Sequence, residues 1–225
     1  MNYNDIQTQF LGLLNRRDCT TTQAQAYIQT ALQRVQRELR VPAMEKAVIA
    51  TVAAGYAGLI IPQDFLELIN IIPLMTNGGT EQTDMKRLEK CDISTALVKS
   101  INTGIPRQYA RQGGVWILGA APVLGDTIRI DYYAELGALV NPTDTNVVTL
   151  IAPDLLYYAA LGYAGDFFVD KRKADWEARY QQILADLQDQ ADEDEQHGAA
   201  AVQPAFHYFD DMAYGGWETI AGVGF

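Results

Sequence analysis

His197 and His207 are the only histidines of this 225-residue chain, and so its only side chains that ordinarily titrate close to neutrality. Paired with Cys19 or Cys91, either could activate a thiol as a nucleophile. Both lie in a Gly-rich C-terminal stretch, whereas a general base works only where its surroundings hold it in place. Asp192, Glu193, Asp194 and Glu195, and further on Asp210 and Asp211, could ligate a divalent cation for metal-assisted hydrolysis. Consecutive residues fan out around a helix axis, however, so a solvated helix end explains the run better. Trp116, Tyr132 and Tyr133 could form a platform for a sugar ring, although packing is the commoner use of such aromatics. No phosphate-binding loop, dinucleotide fingerprint or nucleophile elbow occurs, and Gly78–Gly79 and Gly113–Gly114 read as hairpin turns. The expectation is a protein without catalytic residues, cofactor or metal.

Composition agrees. At 48% hydrophobic and 20% charged residues the chain is ordinary globular protein, with no apolar run long enough for a membrane helix. The start, MNYNDIQTQF, lacks a basic segment leading into an apolar core, so it reads as cytoplasmic at synthesis rather than secreted. Two distant cysteines read as reduced thiols, and two Cys with two His are too few for a zinc site. Net charge is −11, and residues 149–225 carry four Lys/Arg against fourteen Asp/Glu. A protein that grips a nucleic-acid backbone needs a basic face, which this acidic third argues against. A duct through which nucleic acid slides would tolerate it.

The elements that must position any site can be read from periodicity. Ile6, Phe10, Leu13 and Leu14 mark a helix over 4–14, broken at 15–18. Thr22 with Gln25 makes a capping box for a second helix over 23–40, whose stripe is Ile28, Ala31, Leu32, Val35 and Leu39, with Arg34, Arg37 and Arg40 off it. From 42 the period changes. KAVIATVAAGYAGLIIP has two β-prone runs around a small-residue turn, the first also compatible with helix. PQDFLEL reads as a turn or short helix, INIIPLMTNGG as a strand, and Lys86–Cys91 as a further strand. Ile93–Ile101 reads as a helix capped by Asp92.

Three strands at hairpin spacing follow, RQYARQ, VWILG and DTIRIDYYAEL. Residues 113–133 read as one β-hairpin, with Ile128, Ile130 and Tyr132 on one face of its second strand. After the loop NPTDTN the helical period returns through Leu155, Ala159 and Gly162, and again through Trp176, Tyr180, Ile183, Leu184 and Leu187. Asp170 can cap that last helix, which dissolves near 196. The basic triplet Lys171–Arg172–Lys173 reads as solvated or as an inter-subunit salt contact.

The predicted class is α+β. N- and C-terminal helix pairs (1–41 and 149–196) close a four-helix bundle around an inserted small antiparallel β sandwich or barrel (42–148). Residues 197–225 form a Gly- and aromatic-rich extended arm, with Phe206, Tyr208, Phe209, Tyr214, Trp217 and Phe225 as candidate partner-docking residues.

The order of motifs resembles the head-to-tail connector adaptor proteins of tailed bacteriophages. Ile61-Pro62-Gln63-Asp64-Phe65-Leu66-Glu67-Leu68 is similar to the Leu-Pro-x-Asp-Phe-x-x-Leu stretch of that family. Ile105-Pro106 leading to Tyr109-Ala110, then Val115-Trp116-Ile117-Leu118, resembles its Pro-x-x-Tyr/Phe and apolar strand. Pro122, Gly125 and Ile128–Tyr133 look like its hairpin ending in paired tyrosines, and Leu155–Leu161 with Asp170 and Trp176 like its C-terminal helix pair. The resemblance covers roughly 1–190. It implies a structural virion protein of the neck, assembled as a ring, generally twelvefold, between the portal protein and tail or nozzle proteins. DNA would pass through without specific binding, no membrane would be involved, and nothing would be catalysed.

On this reading the small residues Ala159, Ala160, Gly162, Ala164 and Gly165 allow close packing between neighbours in the ring. Other classes remain open from residues alone: another neck, stopper or tail-tube protein, a carbohydrate-binding module, or a metal-dependent hydrolase.

Overall fold

The structure is a computed structural model and describes residues 1–51, 57–76, 82–84, 86–122 and 127–199. The candidate arm residues Phe206, Tyr208, Phe209, Tyr214, Trp217 and Phe225, together with His207, Asp210, Asp211 and the Gly78–Gly79 turn, lie outside the described residues. Two compact units divide the chain, Met1–Gln188 and Asp189–Phe225.

The apolar spacing of the first residues produces helix α1 (Tyr3–Leu14), which buries Tyr3, Ile6, Phe10 and Leu14. Asn2 opens it with a capping box, accepting from the Asp5 N–H at 2.9 Å while the Asp5 carboxylate accepts from the Asn2 N–H. Helix α2 (Thr21–Glu38) buries Ile28, Ala31, Leu32 and Val35 of the predicted stripe together with Ala24, and Leu39, the last of that stripe, is buried at the C-cap. Its cap is Thr20 with Gln23 rather than Thr22 with Gln25. The Thr-x-x-Gln pattern occurs in both registers, and the outer one satisfies the N–H groups of Thr20 and Gln23 and starts the helix two residues earlier.

Both pack on α5 (Pro153–Phe167), where Leu155, Leu156, Ala159, Ala160, Leu161 and Ala164 are fully buried. A short helix α4 (Val147–Ile151), unforeseen as a separate element, precedes it. Asn146, the last residue of the NPTDTN loop, caps α4, and Pro153 restarts the helix at a position where its missing N–H costs nothing.

Helix α6 (Lys173–Ala199) runs slightly beyond the predicted end at 196. The small residues of α5 are buried within the chain, with Gly162 and Gly165 against α6, not turned outward to neighbouring copies as expected. A Cβ at Gly165 would stand 3.0 Å from the Lys173 Cβ, and one at Gly162 would stand 3.2 Å from the Glu177 carboxylate. Gly165→Leu is therefore expected to cost about 2 kcal/mol through overpacking, read as a lower urea midpoint with an unchanged slope.

Among the described residues the β region holds two four-stranded sheets, neither closed into a barrel. The first orders β1 (Glu45–Thr51), β8 (Thr127–Ala134), β3 (Phe65–Thr76) and β4 (Gln82–Asp84). The second orders β2 (Gly58–Ile60), β7 (Val115–Leu118), β6 (Gln108–Gln112) and β5 (Glu89–Lys90). Between β5 and β6 lies α3 (Ile93–Lys99), with Asp92 accepting from the Ser94 N–H at 2.9 Å as its cap.

Three expectations are corrected here. Residues 113–133 are not one hairpin: β7 pairs with β6 and β2, whereas β8 pairs with β1 and β3. The chain crosses from one sheet to the other after Leu118, and the true hairpin is β6–β7, turned at Gly113 with its φ of 59°. Pairing is not uniformly antiparallel, since β5 and β6 run parallel. Within PQDFLEL only the turn survives, because FLEL enters β3. The second half of the 113–133 reading holds, since Ile128, Ile130 and Tyr132 are buried. They share one apolar cluster with Leu59, Ile71, Leu88, Trp116 and Leu118, drawn from both sheets.

Candidate interaction surfaces

Among the described residues no group of three or more His, Cys, Asp or Glu side chains stands together as a metal site. His197 is in α6, and Cys19 and Cys91 are free, with burial raising the Cys19 thiol above its ordinary pKa. No helix of the described residues is long and apolar enough to cross a membrane.

The residues singled out by motif converge instead on a structural lock. Ile61 to Asp64 turn the chain, with the Phe65 N–H reaching the Pro62 carbonyl at 3.3 Å. The Asp64 carboxylate then accepts from the Tyr132 hydroxyl at 2.8 Å and from the Lys46 ammonium at 2.5 Å, so strands β1, β8 and the entry to β3 are joined at one point. The Lys46 hydrogen bond, helped by Tyr132, holds the Asp64 carboxyl below its usual range, while burial first and Asp64 second push the Tyr132 phenol up. Phe65 meets Trp116 edge-on with ring centroids 5.2 Å apart and leans on Tyr132 at 5.9 Å. Tyr109 packs against the same cluster.

Trp116 and Tyr132 are thus buried, 1% and 0% exposed, and offer no platform to a sugar. Tyr133 lies under the Arg40 guanidinium at 5.9 Å, Pro106 is buried ahead of β6, and Trp176 is in the helical layer under Arg172.

Arg172 corrects the solvated reading of the basic triplet. Its guanidinium donates to the carbonyls of Leu13 and Leu14, the free acceptors at the end of α1, and is held there by Asp170. That pairing keeps the Asp170 carboxyl at about 2. Lys173 pairs with Asp166.

Arg34 was missed altogether. Placed off the apolar stripe by spacing, it forks onto Glu177 at 2.5 and 2.9 Å, reaches Glu38 at 3.1 Å and stacks on Tyr180 at 4.1 Å. The i,i+4 spacing of Arg34 and Glu38 was the one local signal of that role.

Among the described residues, exposed apolar side chains gather on the β region and at the α5–α6 turn. On the β region, Ile60, Val98 and Ile101 are 78%, 69% and 84% exposed, beside an open cleft of about 390 Å³ lined by Ala57, Gly58, Leu97, Val115 and Ile117. At the α5–α6 turn, Phe167 and Val169 are exposed, and Val169 holds a φ of 52°, a strained backbone for a β-branched residue. Exposed apolar residues gathered in this way are candidate contact sites.

Compared with known protein families, the chain matches the family described as SU10 adaptor protein over residues 1–204. A search of curated proteins returned no match.

Proposed function

The chain belongs to the SU10 adaptor protein family, a phage head-tail adaptor family, and on that premise we propose that it forms a ring between portal and tail through which DNA passes. The observation that carries this reading is the family match over most of the chain. The two exposed apolar surfaces support it. Copies in a ring meet head to tail, and such contacts need two different faces on each subunit. The acidic C-terminal third suits a channel wall that must not hold DNA, and twelvefold symmetry follows the family resemblance.

In this proposal the helices of 1–41 and 149–196 form a four-helix bundle, the β region of 42–148 supplies a docking face, and the aromatic arm of 197–225 binds an assembly partner. Imaging of the chain mixed with its cognate portal protein tests the assignment. A ring on the portal is expected, and a chain that stays unbound at micromolar concentration would overturn it. Deleting 198–225 is expected to leave the thermal transition in place while weakening ring formation. An unfolded truncated chain would assign the arm to the subunit's own core.

A further inference from the structure

The cleft beside α3 lies within the most basic stretch of an acidic protein. Residues 86–111 carry six Lys/Arg against two Asp/Glu, in a chain whose net charge is −11. Lys86, Arg87, Lys90, Lys99, Arg107 and Arg111 are all exposed: Lys90 on the edge strand β5, Lys99 on α3, Arg111 on β6, and the others in the segments leading into β5 and β6. Lys86, Arg87 and Lys90 form no ion pair among the described residues. Cations and apolar surface occur on the same elements: Leu97 and Ser100 flank Lys99 at the cleft, while Lys90 and Arg111 line the neighbouring surface beside Phe65 and Trp116, on the other side of β6 from Gln112. A partner fitting this face carries carboxylates and large apolar side chains together, with few cations of its own.

One segment of this same chain has that composition. Beyond Arg179 there is no Lys or Arg, yet nine Asp/Glu and the six aromatics of the arm. We propose that the basic region of β5, α3 and β6, with the cleft beside α3, receives the acidic, aromatic C-terminal segment, residues 186–225, of a second copy. This rests on the reading of the chain as a ring subunit, and it names the acceptor of the arm. Carboxylates of the segment pair with the basic rim, and an aromatic ring fills the cleft. Each copy then offers one face and one segment, so the contact is heterologous and propagates around a ring.

Zero-length carbodiimide cross-linking of a mixture of ¹⁴N- and ¹⁵N-labelled full chains tests this, both on rings assembled with the portal protein and on the concentrated chain alone. Cross-links of mixed isotope between Lys86, Lys90 or Lys99 and carboxylates of 186–225 are expected. Cross-links confined to one isotope would place the segment on its own chain's basic face and overturn the inference. So would their absence from rings that do form, in which case the ring itself stands. If no ring forms, the ring reading falls, and the concentrated chain decides the inference alone.

A second variant keeps the result independent of lysine chemistry. Lys86→Glu/Arg87→Glu/Lys90→Glu/Lys99→Glu is expected to weaken self-association roughly tenfold. Adding copies that carry Asp192→Lys/Glu193→Lys/Asp194→Lys is expected to restore it. An unchanged association, or failure of the second set to restore it, would overturn the proposal.

Discussion

Replacing Trp116 by alanine is expected to cost the protein about 4 kcal/mol, the largest single loss available in the β region. The indole is 1% exposed and belongs to the cluster that both sheets share, with Leu59 and Leu118 from one sheet and Ile71, Ile128, Ile130 and Tyr132 from the other. Removing it leaves a cavity bordered by Phe65, whose ring then loses its edge-on partner at 5.2 Å. Neighbours cannot close over such a gap, because Phe65 is pinned by the turn at Pro62 and Tyr132 by its bond to Asp64. Trp116→Phe keeps a ring in place and is expected to cost roughly half as much. Urea unfolding followed by circular dichroism measures both. A loss under about 1 kcal/mol for the alanine variant would mean that the two sheets do not depend on a common core.

Arg34→Ala is expected to cost about 2 kcal/mol and to change the response to acid. The guanidinium, 16% exposed, neutralises Glu177 and Glu38 together and stacks on Tyr180, whose hydroxyl donates to Glu38 at 2.5 Å. Without it two carboxylates face each other across α2 and α6. A fully buried pair broken in this way loses more, but both acids here are about one-third exposed and water screens them.

The hydrogen bond from Arg34 holds the Glu177 carboxyl below its ordinary range. A depressed carboxyl stabilises the fold fully above its unfolded pKa and loses that contribution as pH falls through its folded one. The wild-type chain is therefore expected to lose more stability than Arg34→Ala between about pH 5 and about pH 3. Equal acid slopes in the two chains would show that Arg34 contributes packing on Tyr180 and no charge pairing.

Much of the fold was legible because burial has a local period. Helix α2 buries the stripe that spacing picks out, β8 buries Ile128, Ile130 and Tyr132, and Asp92 caps α3. Each depends on residues within a few positions of one another. The Asp64 lock shows where that legibility stops. The stretch from Pro62 to Leu68 stood out as a motif, yet nothing local says that Asp64 meets Tyr132, 68 residues away.

What the sequence determined by itself is which face of each element is apolar, that Asp92 opens α3, and the acidic bias of the last third. The order of motifs also carried the adaptor resemblance, which the family match over residues 1–204 bears out. What only the tertiary structure decided is partnership: β7 beside β6 and β2 instead of β8, Arg34 between two helices, and Gly165 under Lys173. The physical reason is that alternation and helical period specify a direction for a side chain, not an occupant for the space it points into. Several strands with the same alternation compete for each edge, and only packing of the whole chain selects among them.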